Sequence, residues 1–174
     1  MKTTKKLTLS ALLTALSVIF MSLGAIFEVF DLSACAIASL LVVFAFVELG
    51  SPYTYLVWLS STLLIFIFFP GSVLFLEYFL VFGIYPIIKG YIEKLRRPLW
   101  LPIKAIFGAV TVLALILLVR LITGLSFFTV DSLILKLAVY LVLLVAFLFY
   151  DLFLTVLIRY YMRALRPRLL KFLK

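Results

Sequence analysis

Three observations predict an all-α, polytopic membrane protein, a bundle of about six transmembrane helices with both termini in the cytoplasm. Of 174 residues, 67% are hydrophobic and 13% charged. The mean hydropathy is +1.36, and this is more apolar surface than one soluble core hides. The apolar residues come in runs close to the ~20 that cross a ~30 Å hydrocarbon layer, and the length admits about six such runs with no separate folded domain. Residues 1–174 therefore read as a single transmembrane domain. Finally, Lys and Arg gather between alternate runs, as they do in cytoplasmic loops.

The first span is Leu7 to Phe27, preceded by Lys2, Lys5 and Lys6 and stopped by Glu28 and Asp31. A cleaved signal peptide also opens on lysines, but its apolar region is usually ~7–15 residues long, and no clear A-x-A site follows, so a retained helix is expected. Span two, Leu32 to Val47, ends at Glu48-Leu49-Gly50-Ser51-Pro52, where Gly and Pro break the helix. Span three runs from Tyr53 to Phe69, and Pro70-Gly71-Ser72 turns the chain into span four, Val73 to Lys89. A bend is expected there, because Pro86 removes a backbone donor just after Gly83.

A basic loop from Tyr91 to Pro102 leads into span five, Ile103 to Ile122, and span six covers Leu133 to Ile158 before a basic tail. With six spans, the N-terminal lysines, the loop carrying Lys94, Arg96 and Arg97, and the tail with Arg163, Arg166 and Arg168 fall on one side. That side is predicted to be cytoplasmic. The outward connections are short and hold Glu28 with Asp31, Pro70-Gly71-Ser72, and residues 124–131.

Composition excludes several chemistries. There is no His and one Cys, so no disulfide, Cys/His zinc site or His-activated nucleophile can be built. Neither G-x-x-x-x-G-K-[ST] nor G-x-G-x-x-G occurs, so the chain has no nucleotide cradle and is not itself an ATPase. No paired carboxylate or nucleophile-base spacing stands out, and neither an enzyme nor a cofactor is expected. A pI near 9.8 does not indicate a nucleic-acid partner, because the basic residues lie mostly at helix ends and tails, where membrane orientation accounts for them.

Two features within the spans carry candidate functions. Ala11 and Ala15 form an A-x-x-x-A pair flanked by Ser10 and Thr14. Small side chains let membrane helices approach closely, either inside this bundle or against a partner. The second feature is charge. An ionisable side chain at the helix centre costs about 2.5–3.5 kcal/mol on insertion scales, so each needs a partner or a role.

Towards the predicted outer face lie Glu28, Asp31, Glu77, Arg120, Asp131 and Lys136, which together could line one polar cavity. Glu28, Asp31, Asp131 and Lys136 are equally consistent with wet loop residues and a snorkelling lysine. Glu77 and Arg120 sit inside apolar runs, and are candidates either to pair or to hold a solute. Towards the inner face lie Glu48, Lys89, Asp151 and Arg159. A structural bond from Asp151 or Glu48 to Lys89 is expected there, with proton relay the alternative. Trp58 lies within span three, where its ring could stack on a flat ligand or pack.

Six short helices, both ends inside, outer polar groups and the opening Lys5-Lys6-Leu7-Thr8-Leu9-Ser10-Ala11-Leu12-Leu13-Thr14-Ala15-Leu16 resemble the substrate-binding S component of an energy-coupling factor transporter. The likeness covers the whole chain in size and topology, and the opening helix in sequence. It implies that Ala11 and Ala15 dock on a transmembrane coupling (T) component, and that two cytoplasmic ATPases drive the cycle. It further implies that a small solute such as a vitamin or related micronutrient binds near the outer side, in a bacterial plasma membrane. The candidate solute-binding residues are Glu77, Arg120, Asp31, Asp131, Lys136 and Trp58, and the identity of the solute stays open. The competing readings are a non-transporting scaffold of envelope or cell-shape assembly, and a lipid-handling protein whose polar groups meet headgroups.

Overall fold

A computed structural model describes residues 3–123 and 133–167. Every element among them is helical, and six helical segments are long and apolar enough to cross a membrane. The chain is a multi-pass membrane protein. Helix α1 is Thr3–Phe27, α2 Asp31–Glu48 and α3 Ser51–Phe68. Span four is composite: α4 Leu74–Glu77, a π-helical stretch Tyr78–Phe82, then α5 Tyr85–Ile92. Spans five and six are α6 Trp100–Thr123 and α7 Leu133–Tyr160, the latter running on into a π-helical turn, Tyr161–Leu165. The boundaries expected from sequence hold to within a few residues, and Asp131 lies outside the described residues.

The first three helices pack through small residues. On α1 the buried face carries Ser10, Leu13, Thr14, Ser17, Met21 and Gly24, with Ser10, Ser17 and Gly24 seven positions apart. A methyl group on Gly24 would stand 2.6 Å from Cβ of Ala34, so only glycine admits α2 at that crossing. The facing row on α2 and its C-cap, Cys35, Ala38, Val42, Ala45 and Leu49, alternates steps of three and four and is at most 2% exposed. Such a row keeps one seam against a neighbouring helix. Gly50 then reverses the chain with φ of +90°, a conformation that side chains resist. Large apolar residues such as Leu12, Ile19, Leu63, Leu121 and Val142 face outward on several helices, as a lipid-facing surface requires.

Near Pro86, where a bend is expected, the α-helix of span four is interrupted by the π-helical stretch and a turn at residues 83–84, and the cause is traceable atom by atom. Pro86 has no N–H, so Phe82 O loses its usual donor four residues on. Preceding it, the Gly83 N–H reaches back five residues to Tyr78 O at 2.7 Å, which widens the turn. The freed Phe82 carbonyl accepts a bond from the Tyr150 hydroxyl of α7 at 3.2 Å. The interruption therefore fastens span four to span six.

Lys6 Nζ donates to Leu49 O at 3.3 Å, and Tyr161 OH to Glu48 at 3.1 Å. The start of α1 and the end of α7 thus lie at the end of the bundle where α2 finishes. We call this the terminal end, and the opposite one, where Asp31 and Leu74 lie, the far end.

Candidate functional site

Three polar or open features are available for function. The first is a buried charge cluster towards the terminal end. Lys89, on α5, is 0% exposed. Its ammonium bonds to the carboxylate and the carbonyl of Asp151, to Thr155 Oγ1 at 2.7 Å, and pairs with Glu93 at 3.1 Å. From α6, Lys104 reaches the Asp151 carboxylate at 3.0 Å and Glu93 at 3.3 Å. The Tyr85 hydroxyl donates to Asp151 Oδ1 at 2.6 Å. Two cations and two carboxylates balance, and each carboxylate faces both ammoniums, an arrangement that fixes spans four, five and six to one another.

The expected Asp151–Lys89 bond is thus present. Glu48 does not join it: its carboxylate accepts from Arg166 Nε at 3.0 Å and from Tyr161. Sequence reasoning missed Glu93, Lys104, Tyr85 and Thr155. The four-residue step from Lys89 to Glu93 was the available signal, since it places both on one helical face.

The second feature is a cavity of about 110 Å³ lined by Leu32 of α2, Glu77, Val81 and Phe82 of span four, Val112 and Leu115 of α6, and Leu143, Phe147 and Tyr150 of α7. Glu77 is the one carboxylate among its described lining residues. Oε2 of that side chain is buried and has no hydrogen-bond partner among the described residues. Asp31, in the first turn of α2, is its electrostatic neighbour. Arg120 is exposed near the end of α6, and among the described residues no ion pair joins it to Glu77. Lys136 is partly buried on α7.

Trp58 does not line this cavity. Its indole stacks on Phe79, with centroids 5.1 Å apart and planes 13° from parallel. It fills the space left by Gly83, where a methyl group would meet Trp58 Cδ1 at 2.4 Å. Of the outer-side residues, the structure thus brings Glu77 and Asp31 together and sets Arg120 and Trp58 apart from them.

The third feature is an open groove between α1 and α3, lined by Leu7, Ser10, Ala11, Thr14, Ala15, Leu56, Ser60 and Leu64. Ala11 and Ala15 are exposed. The internal face of α1 uses Ser10, Thr14 and Ser17 instead, so the A-x-x-x-A pair is not consumed by packing within the bundle. Ser60, on the opposite wall, was missed because nothing in span three marks it off from its neighbours.

Comparison with known protein families, with curated proteins and with solved structures returns no match.

Proposed function

We propose that the chain is the substrate-binding membrane subunit of an ATP-driven uptake transporter of the energy-coupling factor type, taking up a small solute such as a vitamin or related micronutrient. The observation that carries this reading is the exposed groove with Ala11 and Ala15 on one wall and Ser60 on the other. Lipid tails are as apolar as leucine, so a partner helix gains little from hydrophobicity alone and needs close backbone approach, which small side chains permit. A transmembrane coupling component supplies such a helix. Because this sequence carries no nucleotide cradle, two cytoplasmic ATPases supply the energy. The cavity at Glu77 gives the subunit a concave, mostly apolar place with one carboxylate anchor, as small-molecule sites have. In this reading the terminal end, with Lys5, Lys6, Lys94 and Arg163, faces the cytoplasm of a bacterial plasma membrane.

The test is affinity purification of the tagged chain from its native membrane, with Ala11→Leu and Ala15→Leu as variants. Wild type is expected to bring down a coupling component and ATPases, while both variants fold and lose them. Retention of the module by both variants at wild-type yield overturns the reading. So does recovery of cell-wall assembly proteins in its place.

A further inference from the structure

We infer that the cavity beside Glu77 binds a small organic ammonium ion, an inference that rests on the solute-binding reading above and names the chemical class of the solute. Glu77 Oε2 is buried without a partner among the described residues, and no Lys or Arg among them pairs with it. A carboxylate oxygen taken out of water and left unbonded is costly, and either a proton or a bound cation relieves that cost; the charged and neutral probes below tell the two apart. The electrostatic neighbour of Glu77 is a second acid, Asp31, so a phosphate, sulfate or carboxylate ligand is repelled.

The remaining walls select among cations. Phe82, Phe147 and Tyr150 line the same cavity, and aromatic rings attract organic ammonium ions through their electron-rich faces. The Tyr150 hydroxyl is committed to Phe82 O, which leaves Glu77 as the anchor. A bare divalent metal is a poor fit, because calcium and magnesium take about six or more oxygen ligands. No group of three His, Cys, Asp or Glu side chains able to hold a metal occurs among the described residues. Size sets the body of the ligand. An apolar cavity of about 150 Å³ takes benzene, so 110 Å³ admits a compact apolar group of roughly four heavy atoms carrying the ammonium. Glu77 meets the charge, and the aromatic and aliphatic walls meet the body.

tert-Butylammonium chloride is the probe, and tert-butanol its neutral counterpart of the same shape. Both are titrated calorimetrically into the full chain, purified in detergent free of aminophospholipid, with thermal unfolding recorded in parallel. The ammonium is expected to bind and to raise the melting temperature with concentration, and the alcohol to do neither at the same concentration. Glu77→Gln is expected to weaken binding by about tenfold or more, the difference a charge-assisted bond makes. Leu115→Trp, which fills the cavity and keeps the carboxylate, is expected to weaken it likewise. If Glu77→Gln does not fold, the charged and neutral probes on wild type together with Leu115→Trp decide.

Equal binding of alcohol and ammonium overturns the inference, as does binding that survives both variants. Displacement of the probe by dioleoylphosphatidylethanolamine, with the same dependence on Glu77, assigns the ammonium to a lipid headgroup and overturns a solute. The transporter reading fails separately: a chain that binds the ammonium and brings down no coupling module defeats that reading alone. A chain that brings down the module and ignores the ammonium defeats only the ligand class.

Discussion

Asp151 of α7 and Lys89 of α5 are 62 positions apart in the chain and bond to each other inside the bundle. Lys104 and Glu93 complete a neutral cluster around them. Removing one partner leaves an uncompensated charge in a poorly hydrated place, and for buried pairs this costs about 3–5 kcal/mol. Asp151→Asn is therefore expected to destabilise strongly, since it leaves two ammoniums facing one carboxylate. The double variant Lys89→Met, Asp151→Asn leaves Lys104 paired with Glu93, and is expected to regain more than half of the loss. Thermal unfolding in detergent across wild type, single and double variants checks this. No regain in the double variant shows that the four charges do not act as one neutral unit.

Arg120 makes a contrasting case. It is exposed on α6 and separate from Glu77, so Arg120→Gln is expected to change stability by no more than about 0.5 kcal/mol, as substitutions away from buried networks do. Exchanging the two residues, Glu77→Arg with Arg120→Glu, is expected to recover none of the loss caused by Glu77→Arg alone, because position 120 is exposed and makes no ion pair with position 77 among the described residues. Rescue by the exchange would show that the two side chains serve each other.

How far the sequence was legible follows from the same residues. Depth was readable: apolar run lengths place Asp151 with Lys89, and Glu77 with Arg120, at common levels. Rotation about the helix axis was not. These spans are apolar nearly all round, so periodicity does not say which face turns inward. That is why Glu77 and Arg120 shared a level without sharing a contact. It is also why Ala11, adjacent in sequence to buried Ser10, could be read either as packing or as docking surface. Glu93 and Lys104 were hidden by their neighbours, since Arg96, Arg97, Pro98 and Pro102 give that segment the look of a solvated basic loop. The helix interruption before Pro86 was legible because it is local chemistry. Its rescue by Tyr150 was not, because it depends on where α7 lies.

Gly83 offers a test of that interruption. An alanine there would place Cβ 2.4 Å from Trp58 Cδ1 and 2.8 Å from Tyr78 O. The indole can move only by leaving its stack on Phe79, and the carbonyl belongs to the π-helical backbone. Gly83→Ala is expected to cost about 1–3 kcal/mol, the usual penalty for overpacking, and to shift Trp58 fluorescence when measured in a Trp100→Phe background. Adding Trp58→Leu is expected to recover part of the stability and not all, because the contact with Tyr78 O persists. Full recovery would place all the strain on the indole.

Ser60 separates a docking surface from a merely tolerant one. It is exposed on α3 and shares the groove with Ala11 and Ala15 of α1, so a partner helix seated there touches both walls. Leucine at any of the three positions fills the groove from its own side and adds bulk that lipid accepts freely. Each single variant is expected to unfold within about 0.5 kcal/mol of wild type, the range for surface changes away from special features. Each is also expected to lose the co-purifying partner. The double variant Ala11→Leu, Ser60→Leu is expected to do no further harm to the fold, since neither residue is part of the buried face. Stability is read by thermal unfolding in detergent, and association by the yield of partner subunits on native affinity purification. If Ser60→Leu retains the partner while Ala11→Leu loses it, the partner lies along α1 alone and the groove is not the seat. If all three lose stability in step with association, the groove residues serve the bundle itself.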